Sequence, residues 1–209
     1  MQIKHSTIEE VLEALRQGKP VLVTDAEDRE NEGDAIIAAE FATPEWLAWM
    51  IRYTSGYICA PMTEARANDL DLPLMYVNTQ DPHHTAYTVS VDAMERESTG
   101  ISAYDRALTG RVLADPKSSA GSLMRPGHVV PLRAKDGGVL ERPGHTEAAV
   151  DLMKLAGLEP VAMMAEMVND DGTMMRGEEL FETSLRFDLP MTSISQIKEH
   201  IARKSPEVS

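Results

Sequence analysis

The feature that most constrains the fold is a pair of short apolar runs on either side of an acidic segment. Residues 21–23 and 35–39 are apolar, and short apolar runs bounded by turn-forming residues are typical of buried strands. Between them, residues 25–34 contain six carboxylates and one arginine. Because like charges repel, such crowding indicates a bound hard cation or carboxylates used for acid–base chemistry. The structural alternative is a solvated turn formed by Asn31 and Gly33.

Length and charge set the broad class of protein. The chain of 209 residues is long enough for one well-buried domain, and no flexible linker divides it. We expect one domain over residues 1–204 and a loose tail over residues 205–209. The net charge of −14 argues against a nucleic-acid partner, because a phosphate backbone requires a basic face. The sequence has no long apolar run or signal segment, and its lone Cys59 fits a reducing compartment, so we expect a cytoplasmic protein without a membrane span.

Caps and periodicity predict helices and strands that alternate along the chain. A capping box at Thr7 begins a helix that Gly18 ends. Further helices are predicted from caps at Thr43, Thr63, Ser102 and Thr146 and over residues 178–187 and 193–203, and further strands over residues 57–60, 85–91 and 161–168. This alternation predicts an α/β, or mixed α+β, layer architecture.

The motif Arg-Pro-Gly-His occurs twice, at residues 125–128 and 142–145. We expect each histidine on a stiff turn that fixes the direction of its imidazole, either as a ligand or as a hydrogen-bonded turn residue. The second copy leads into the predicted cap Thr146. Helix-start N–H groups beside Arg142 are suited to binding a phosphate, although a plain capped helix with a surface arginine is the alternative.

Other candidate residues leave two interpretations open. Glu166 lies in an apolar strand, so it either faces solvent at an edge or is buried with a raised pKa that suits general acid–base catalysis. The segment 98–106 either binds an anion or simply begins a helix. His83 and His84 lack metal-ligand spacing and are expected in an exposed loop. Cys59 is expected to be a buried structural thiol, with a place in the wall of a site as the alternative.

Taken in order, four segments closely resemble the 3,4-dihydroxy-2-butanone 4-phosphate synthase family of riboflavin biosynthesis. They are residues 25–34, 99–106, 125–133 and 137–148, and Glu166 follows them. The resemblance extends over about residues 5–200. It implies a three-layer α/β/α sandwich with a mixed twisted sheet, in a homodimer whose two sites lie near the interface.

The resemblance also implies a reaction and its site residues. D-ribulose 5-phosphate would give L-3,4-dihydroxybutan-2-one 4-phosphate and formate, with two Mg²⁺ ions per site, or Mn²⁺ as a substitute. Metal ligands are implied at Glu30 and His145, and catalytic residues at His128 and Glu166, with Asp25 and Glu32 in less defined acidic roles. Substrate-binding positions are implied at Arg29, Glu30, Asp34, Thr99, Arg142, Pro143, Gly144, His145, Thr146 and Glu166, with Cys59 near the substrate.

Three further points qualify this hypothesis. The family often has Thr-Thr where this chain has Ser98-Thr99, which is a mild change. Many relatives continue into GTP cyclohydrolase II, but the cysteines of that enzyme's zinc site do not follow here, so we expect a chain with the synthase activity alone. A different metal-dependent phosphosugar isomerase or lyase is the alternative enzyme, and formate release distinguishes the two. A non-catalytic metabolite-binding protein is disfavoured, because Glu30, His128 and the other expected catalytic positions are all present.

Overall fold

One mixed sheet forms the middle layer of the molecule. The computed structural model describes residues 4–204, and the tail predicted at 205–209 lies outside them. The strands are β1 (Val21–Thr24), β2 (Gly33–Ala38), β3 (Cys59–Thr63), β4 (Val91–Ala93), β5 (Leu123–Ala134), β6 (Ala162–Glu166) and β7 (Met191–Ser193). Their order across the sheet is β4-β5-β3-β6-β2-β1-β7. The pairs β1–β7 and β3–β5 are parallel and the other neighbours are antiparallel.

Helices cover both faces of this sheet. They are α1 (Ile8–Arg16), α2 (Pro44–Tyr53), α3 (Glu64–Asp69), α4 (Ala103–Ala114), α5 (Gly138–Glu141), α6 (His145–Ala156), α7 (Gly177–Phe187) and α8 (Ile194–Lys204). Helices α1, α6 and α8 pack together on one face, and α2 and α4 pack on the other. The predicted three-layer α/β/α sandwich is therefore confirmed. Among the described helices, none is both long and apolar enough to cross a membrane.

The central strands are buried on both faces, which explains their continuous apolar runs. In β2, Ala35 and Ile37 belong to the core beneath α2 and α4, whereas Ile36 and Ala38 belong to the core beneath α1 and α6. All four side chains are fully buried. Since fully burying one isoleucine stabilises a protein by about 1.5–3 kcal/mol, this alternation anchors β2 and the acidic loop before it.

Most predicted helix starts are confirmed. The hydroxyls of Thr7, Thr43, Thr63 and Ser102 each accept a backbone N–H from the first turn of their helix. The prediction of a cap at Thr146 is wrong, because α6 begins at His145 and its N-cap is Gly144, which offers no side-chain oxygen. The end of α6 at Gly157 is confirmed, since this residue adopts the left-handed conformation with φ of +74°.

One predicted strand and one predicted turn need correction. Residues 85–91 do not form a strand: Tyr87 and Thr88 make isolated bridges only, and β4 begins at Val91. The Tyr87 N–H bonds locally to the Thr85 carbonyl, so it cannot contribute to a ladder. The first Arg-Pro-Gly-His motif lies within the long strand β5 and not on a tight turn. Strand β5 and the short strand β7 were not predicted from the sequence.

Candidate functional site

A cleft opens where β2, β3 and β6 meet the start of α6. It gathers many of the residues expected from sequence, together with others that were not expected. Its lining is Arg29, Glu30, Glu32, Asp34, Cys59, Thr85, Tyr87, Leu132, Arg142, His145, Thr146, Met164 and Glu166. The acidic loop, the second Arg-Pro-Gly-His motif and the end of β6 thus form one site.

Asp25 organises the acidic loop between β1 and β2. Its side chain is 1% exposed. One carboxylate oxygen accepts the Glu32 N–H at 2.8 Å, and the other accepts the Glu30 N–H at 2.9 Å and an Arg29 Nη1–H at 3.0 Å. Asp25 therefore shapes the loop so that neighbouring acidic side chains enter the cleft, a structural task beyond the acidic role that sequence implied.

The sheet register brings two carboxylates together. Asp34 on β2 lies directly opposite Glu166 on β6, and Cys59 on β3 lies opposite Met164. Directly opposed residues of an antiparallel pair present their side chains on the same face. Asp34 and Glu166 therefore share the face that carries α6, and the thiol of Cys59 lies near them as part of the cleft wall.

His145 is buried and has a defined orientation at the start of α6. Its Nε2 lies 3.1 Å from the backbone carbonyl oxygen of Val23. Because a carbonyl only accepts, Nε2 carries a proton, and Nδ1 faces the cleft. In the neutral ring, which is the form that binds a metal, Nδ1 carries the lone pair. Nδ1 lies 3.6 Å from Glu30 Oε2 and 3.8 Å from Asp34 Oδ1.

The buried charges shift one another's pKa values. The His145 imidazole lowers the pKa of Glu30 to about 2 despite the opposing effect of burial, and Arg29 assists. Burial raises the pKa of Asp34 to about 7, against the attraction of His145. Burial lowers the pKa of His145, but Asp34, Glu30 and Asp25 outweigh it and raise this pKa to about 9. Burial and the charges of Glu30 and Glu166 raise the pKa of Glu32.

These groups fit a divalent cation. Ligand atoms of Asp25, Glu30 and His145 lie within 4.8 Å of one another. Asp34 Oδ1 is buried and has no hydrogen-bond partner among the described residues. Because an unsatisfied buried carboxylate oxygen is costly, a cation beside it would relieve that cost. Carboxylate oxygens and an imidazole nitrogen are suitable ligands for Mg²⁺ or Mn²⁺.

Two guanidinium groups converge on the start of α6. A Cβ added to Gly144 would lie 2.4 Å from Arg142 Nη1 and 3.1 Å from Arg29 Nη2, so the glycine leaves space for both. No side chain caps this helix, and Thr146 lies in its first turn at the cleft. Cationic side chains over an uncapped helix start form a suitable anion site.

Glu166 ends β6 at the cleft and is only partly buried. Its Oε2 accepts the hydroxyl of Ser55 at 2.6 Å. Met164 lies on the same face two residues earlier and also lines the cleft, whereas Met163 belongs to the core of the opposite face. The alternative of an edge strand is wrong, because β6 lies between β3 and β2.

Several residues implied by the resemblance lie outside the cleft of this chain. His128 is on β5 and Thr99 is in the exposed loop before α4, and the described cleft lining includes neither. Pro143 is exposed and contributes to a neighbouring groove with Arg29 and His83.

Sequence reasoning missed residues that support the cleft from distant parts of the chain. Glu147 is 1% exposed and accepts an Arg142 Nη1–H at 2.5 Å. Arg142 also donates to the His83 carbonyl and the Thr85 hydroxyl. His84 is exposed as expected, but His83 is half-buried at the site, with Nε2 3.8 Å from Glu30 Oε1. Only Glu147, two residues after His145 of the second motif, offered a local signal in the sequence.

Comparison with known proteins identifies the family. The cleft, with carboxylates and an imidazole at one end and arginines over a helix start at the other, is typical of a metal-assisted enzyme for phosphorylated substrates. The sequence model of the 3,4-dihydroxy-2-butanone 4-phosphate synthase family matches residues 9–200, and the chain belongs to this family.

Relatives and solved structures agree with this assignment. The chain is 55% identical over 202 residues to the riboflavin biosynthesis protein RibBA of Salinispora arenicola, and these cover 97% of the chain and 48% of the relative. Against RibBA of Nocardia farcinica, identity is 58% over 196 residues, covering 93% and 47%. The chain thus spans about half the length of these curated relatives.

The solved structures extend the match to the whole fold. A crystal structure of 3,4-dihydroxy-2-butanone 4-phosphate synthase in complex with two magnesium ions superposes with a TM-score of 0.94 at 45% identity, covering 97% of this chain and 100% of that one. The synthase of Candida albicans gives a TM-score of 0.87 at 47% identity, covering 94% and 98%.

Proposed function

We propose that this chain converts D-ribulose 5-phosphate to L-3,4-dihydroxybutan-2-one 4-phosphate and formate, as a step of riboflavin biosynthesis in the cytoplasm. The observation that carries the proposal is the pairing of two subsites in one cleft. Glu30, Asp34 and His145 form the cation subsite, and Arg29 and Arg142 lie over the start of α6 as the anion subsite. A phosphosugar with adjacent carbonyl and hydroxyl oxygens matches both subsites: these oxygens suit a bound cation, and the phosphate suits the anion subsite.

The chain's own side chains have distinct tasks in this reaction. The first requirement is removal of a proton beside a carbonyl, and a divalent cation held by Glu30 and His145 supplies electrostatic stabilisation of the resulting negative charge. Mg²⁺ is the proposed cation, as a pair of ions, with Mn²⁺ as a substitute. Arg29, Arg142 and the Thr146 N–H hold the unreactive phosphate and thereby orient the rest of the substrate.

Side chains that line the cleft carry out the proton transfers of the reaction. Loss of the C1 hydroxyl, the carbon shift and the release of formate each need a proton donor or acceptor on a different substrate atom. Glu166 faces the cleft with its second oxygen held by Ser55, and Glu32 lies beside it. Both are positioned to exchange protons with one small bound molecule.

A homodimer would unite the cleft with His128 and Thr99. Both residues lie outside the cleft of their own chain, and we place them in the site of a second copy. Near Thr99 in sequence, Met94, Ile101 and Tyr104 are 47%, 52% and 43% exposed. Exposed apolar side chains are enriched on surfaces that another chain covers.

The decisive experiment incubates the purified protein with ribulose 5-phosphate and measures formate, with Mg²⁺ and then with excess chelator. We expect formate only with the metal present. Glu30→Gln, which keeps the side-chain shape but loses the anionic ligand, should remain folded and release none. Consumption of substrate without formate would favour a different isomerase or lyase, and binding without consumption would favour a non-catalytic protein.

A further inference from the structure

One buried carboxylate holds His128 at two points. Asp92 on β4 is 2% exposed, while the side chain of His128 is 37% exposed. Asp92 Oδ1 accepts the backbone N–H of His128 at 2.8 Å, and Oδ2 lies 2.9 Å from His128 Nδ1. Within residues 4–204, Nε2 of His128 makes no hydrogen bond. The ring is therefore anchored on its buried side and has an available nitrogen on the other.

The backbone of β5 is built to make this contact. Val91 pairs with Val129, but the next residue, Asp92, pairs with Met124, so residues 125–128 form an excursion opposite no residue of β4. A Cβ at Gly127 would lie 2.0 Å from the Val91 carbonyl carbon. The glycine of the first Arg-Pro-Gly-His motif thus lets the excursion lie against β4, and the histidine after it reaches Asp92.

The surroundings of Asp92 leave its carboxylate little freedom. A Cβ at Gly100, whose φ is +103°, would lie 2.0 Å from Asp92 Oδ2, so this glycine closes over the carboxylate. Arg96 Nε lies 4.0 Å from the same oxygen and supports its negative charge. An ionised carboxylate only accepts hydrogen bonds. The neutral imidazole facing it must carry its proton on Nδ1, which leaves the lone pair on Nε2.

We infer that Asp92 is a positioning residue for the reaction. It fixes the orientation and tautomer of His128, so that Nε2 is presented as a proton acceptor. The inference rests on the proposed function, in which His128 exchanges a proton with the substrate. A purely structural role would instead require only the bond from Oδ1 to the backbone N–H, which ties the excursion to β4.

The variant Asp92→Asn separates these two roles. The asparagine oxygen can still accept the His128 backbone N–H, but its NH₂ group donates to Nδ1 and thereby moves the ring proton to Nε2. We expect a folded protein with unchanged KM for ribulose 5-phosphate and a kcat for formate release lowered by about 10²–10⁴-fold. His128→Ala should show a similar loss, and the double variant should be no slower than His128→Ala.

Nitrogen-15 NMR of the imidazole rings provides a readout independent of activity. At a pH where the ring is neutral, His128 should carry its proton on Nδ1 in the wild type and on Nε2 in Asp92→Asn, with His128→Ala assigning the signal. A wild-type proton on Nε2, or an unchanged kcat in Asp92→Asn, would overturn the inference. So would a lost kcat without a change of tautomer. If the wild type releases no formate, the proposed function fails, while the NMR result still tests the dyad.

Discussion

The geometry of Arg142 explains why this position should require arginine. Its guanidinium bridges the buried Glu147, the His83 carbonyl and the Thr85 hydroxyl while still facing the cleft. A lysine has a single ammonium group and cannot reproduce this planar set of donors. We expect Arg142→Lys to raise the KM for ribulose 5-phosphate about tenfold or more, with a smaller effect on kcat. An unchanged KM in Arg142→Ala would place the phosphate elsewhere.

Glu166 is the clearest candidate for proton transfer within the cleft of one chain. Glu166→Gln keeps the side-chain shape and an acceptor oxygen for Ser55, but it loses the titrating group. Its kcat should fall by about 10²–10⁴-fold, while metal and substrate affinities change little. Steady-state kinetics beside a metal titration provide the check, with Ser55→Ala as the control for the hydrogen bond. If lost turnover parallels lost metal binding, Glu166 is a ligand.

The thiol of Cys59 should be unusually unreactive. Burial, with the nearby charges of Glu166 and Asp34, raises its pKa well above the ordinary value. A higher pKa means less thiolate at any given pH, and thiolate is the reactive form. A disulfide reagent should therefore modify the folded protein much more slowly than the chain unfolded in urea, with the rate still rising above about pH 9. Equal rates in both states would contradict this burial.

At the scale of elements, the capping box of α1 offers a matched test. Thr7 Oγ1 accepts the Glu10 N–H, and Glu10 Oε2 accepts the Thr7 N–H at 2.8 Å. Thr7→Ala should lower the free energy of unfolding by about 1 kcal/mol. Glu10→Ala and Glu9→Ala both remove an acid from the first turn, but only the former breaks the box. Urea unfolding should show the larger loss for Glu10→Ala.

Sequence predicted the elements whose signals are local. The caps at Thr7 and Thr43 are read from neighbouring residues, and the apolar runs of β1 and β2 follow from burial on both faces. Strand β5 was missed because Pro126, Gly127 and Pro131 are unfavourable in strands, and its neighbours β4 and β3 are distant in sequence. Pairing that depends on tertiary contacts overrides such propensities.

The cleft could be predicted only in part for the same reason. The acidic loop and the start of α6 are compact motifs, so their residues were found together. The register that places Asp34 opposite Glu166, and the contact of Glu147 with Arg142, exist only once the layers are assembled. His128 was grouped with the cleft by resemblance, but within one chain the fold places it on β5, outside the cleft.

At the scale of the whole molecule, the position of His128 outside the cleft of its own chain predicts complementation between inactive variants. Glu30→Gln disables the cleft, and His128→Ala disables the group that a second copy would contribute. In a mixed dimer of the two variants, both lesions fall in one site and the other site is intact.

If subunits combine at random, half of the dimers are mixed, so a co-refolded equal mixture should regain about one quarter of wild-type formate release. The matched control mixes Glu30→Gln with His145→Ala. Both changes lie in the cleft of their own chain, so each mixed dimer carries one lesion in each site and should remain inactive. Each mixture contains two variant homodimers and one mixed dimer. Recovery in the first mixture alone would therefore mean that His128 acts across the interface. Absence of recovery, with mixed dimers present by mass spectrometry, would exclude that arrangement.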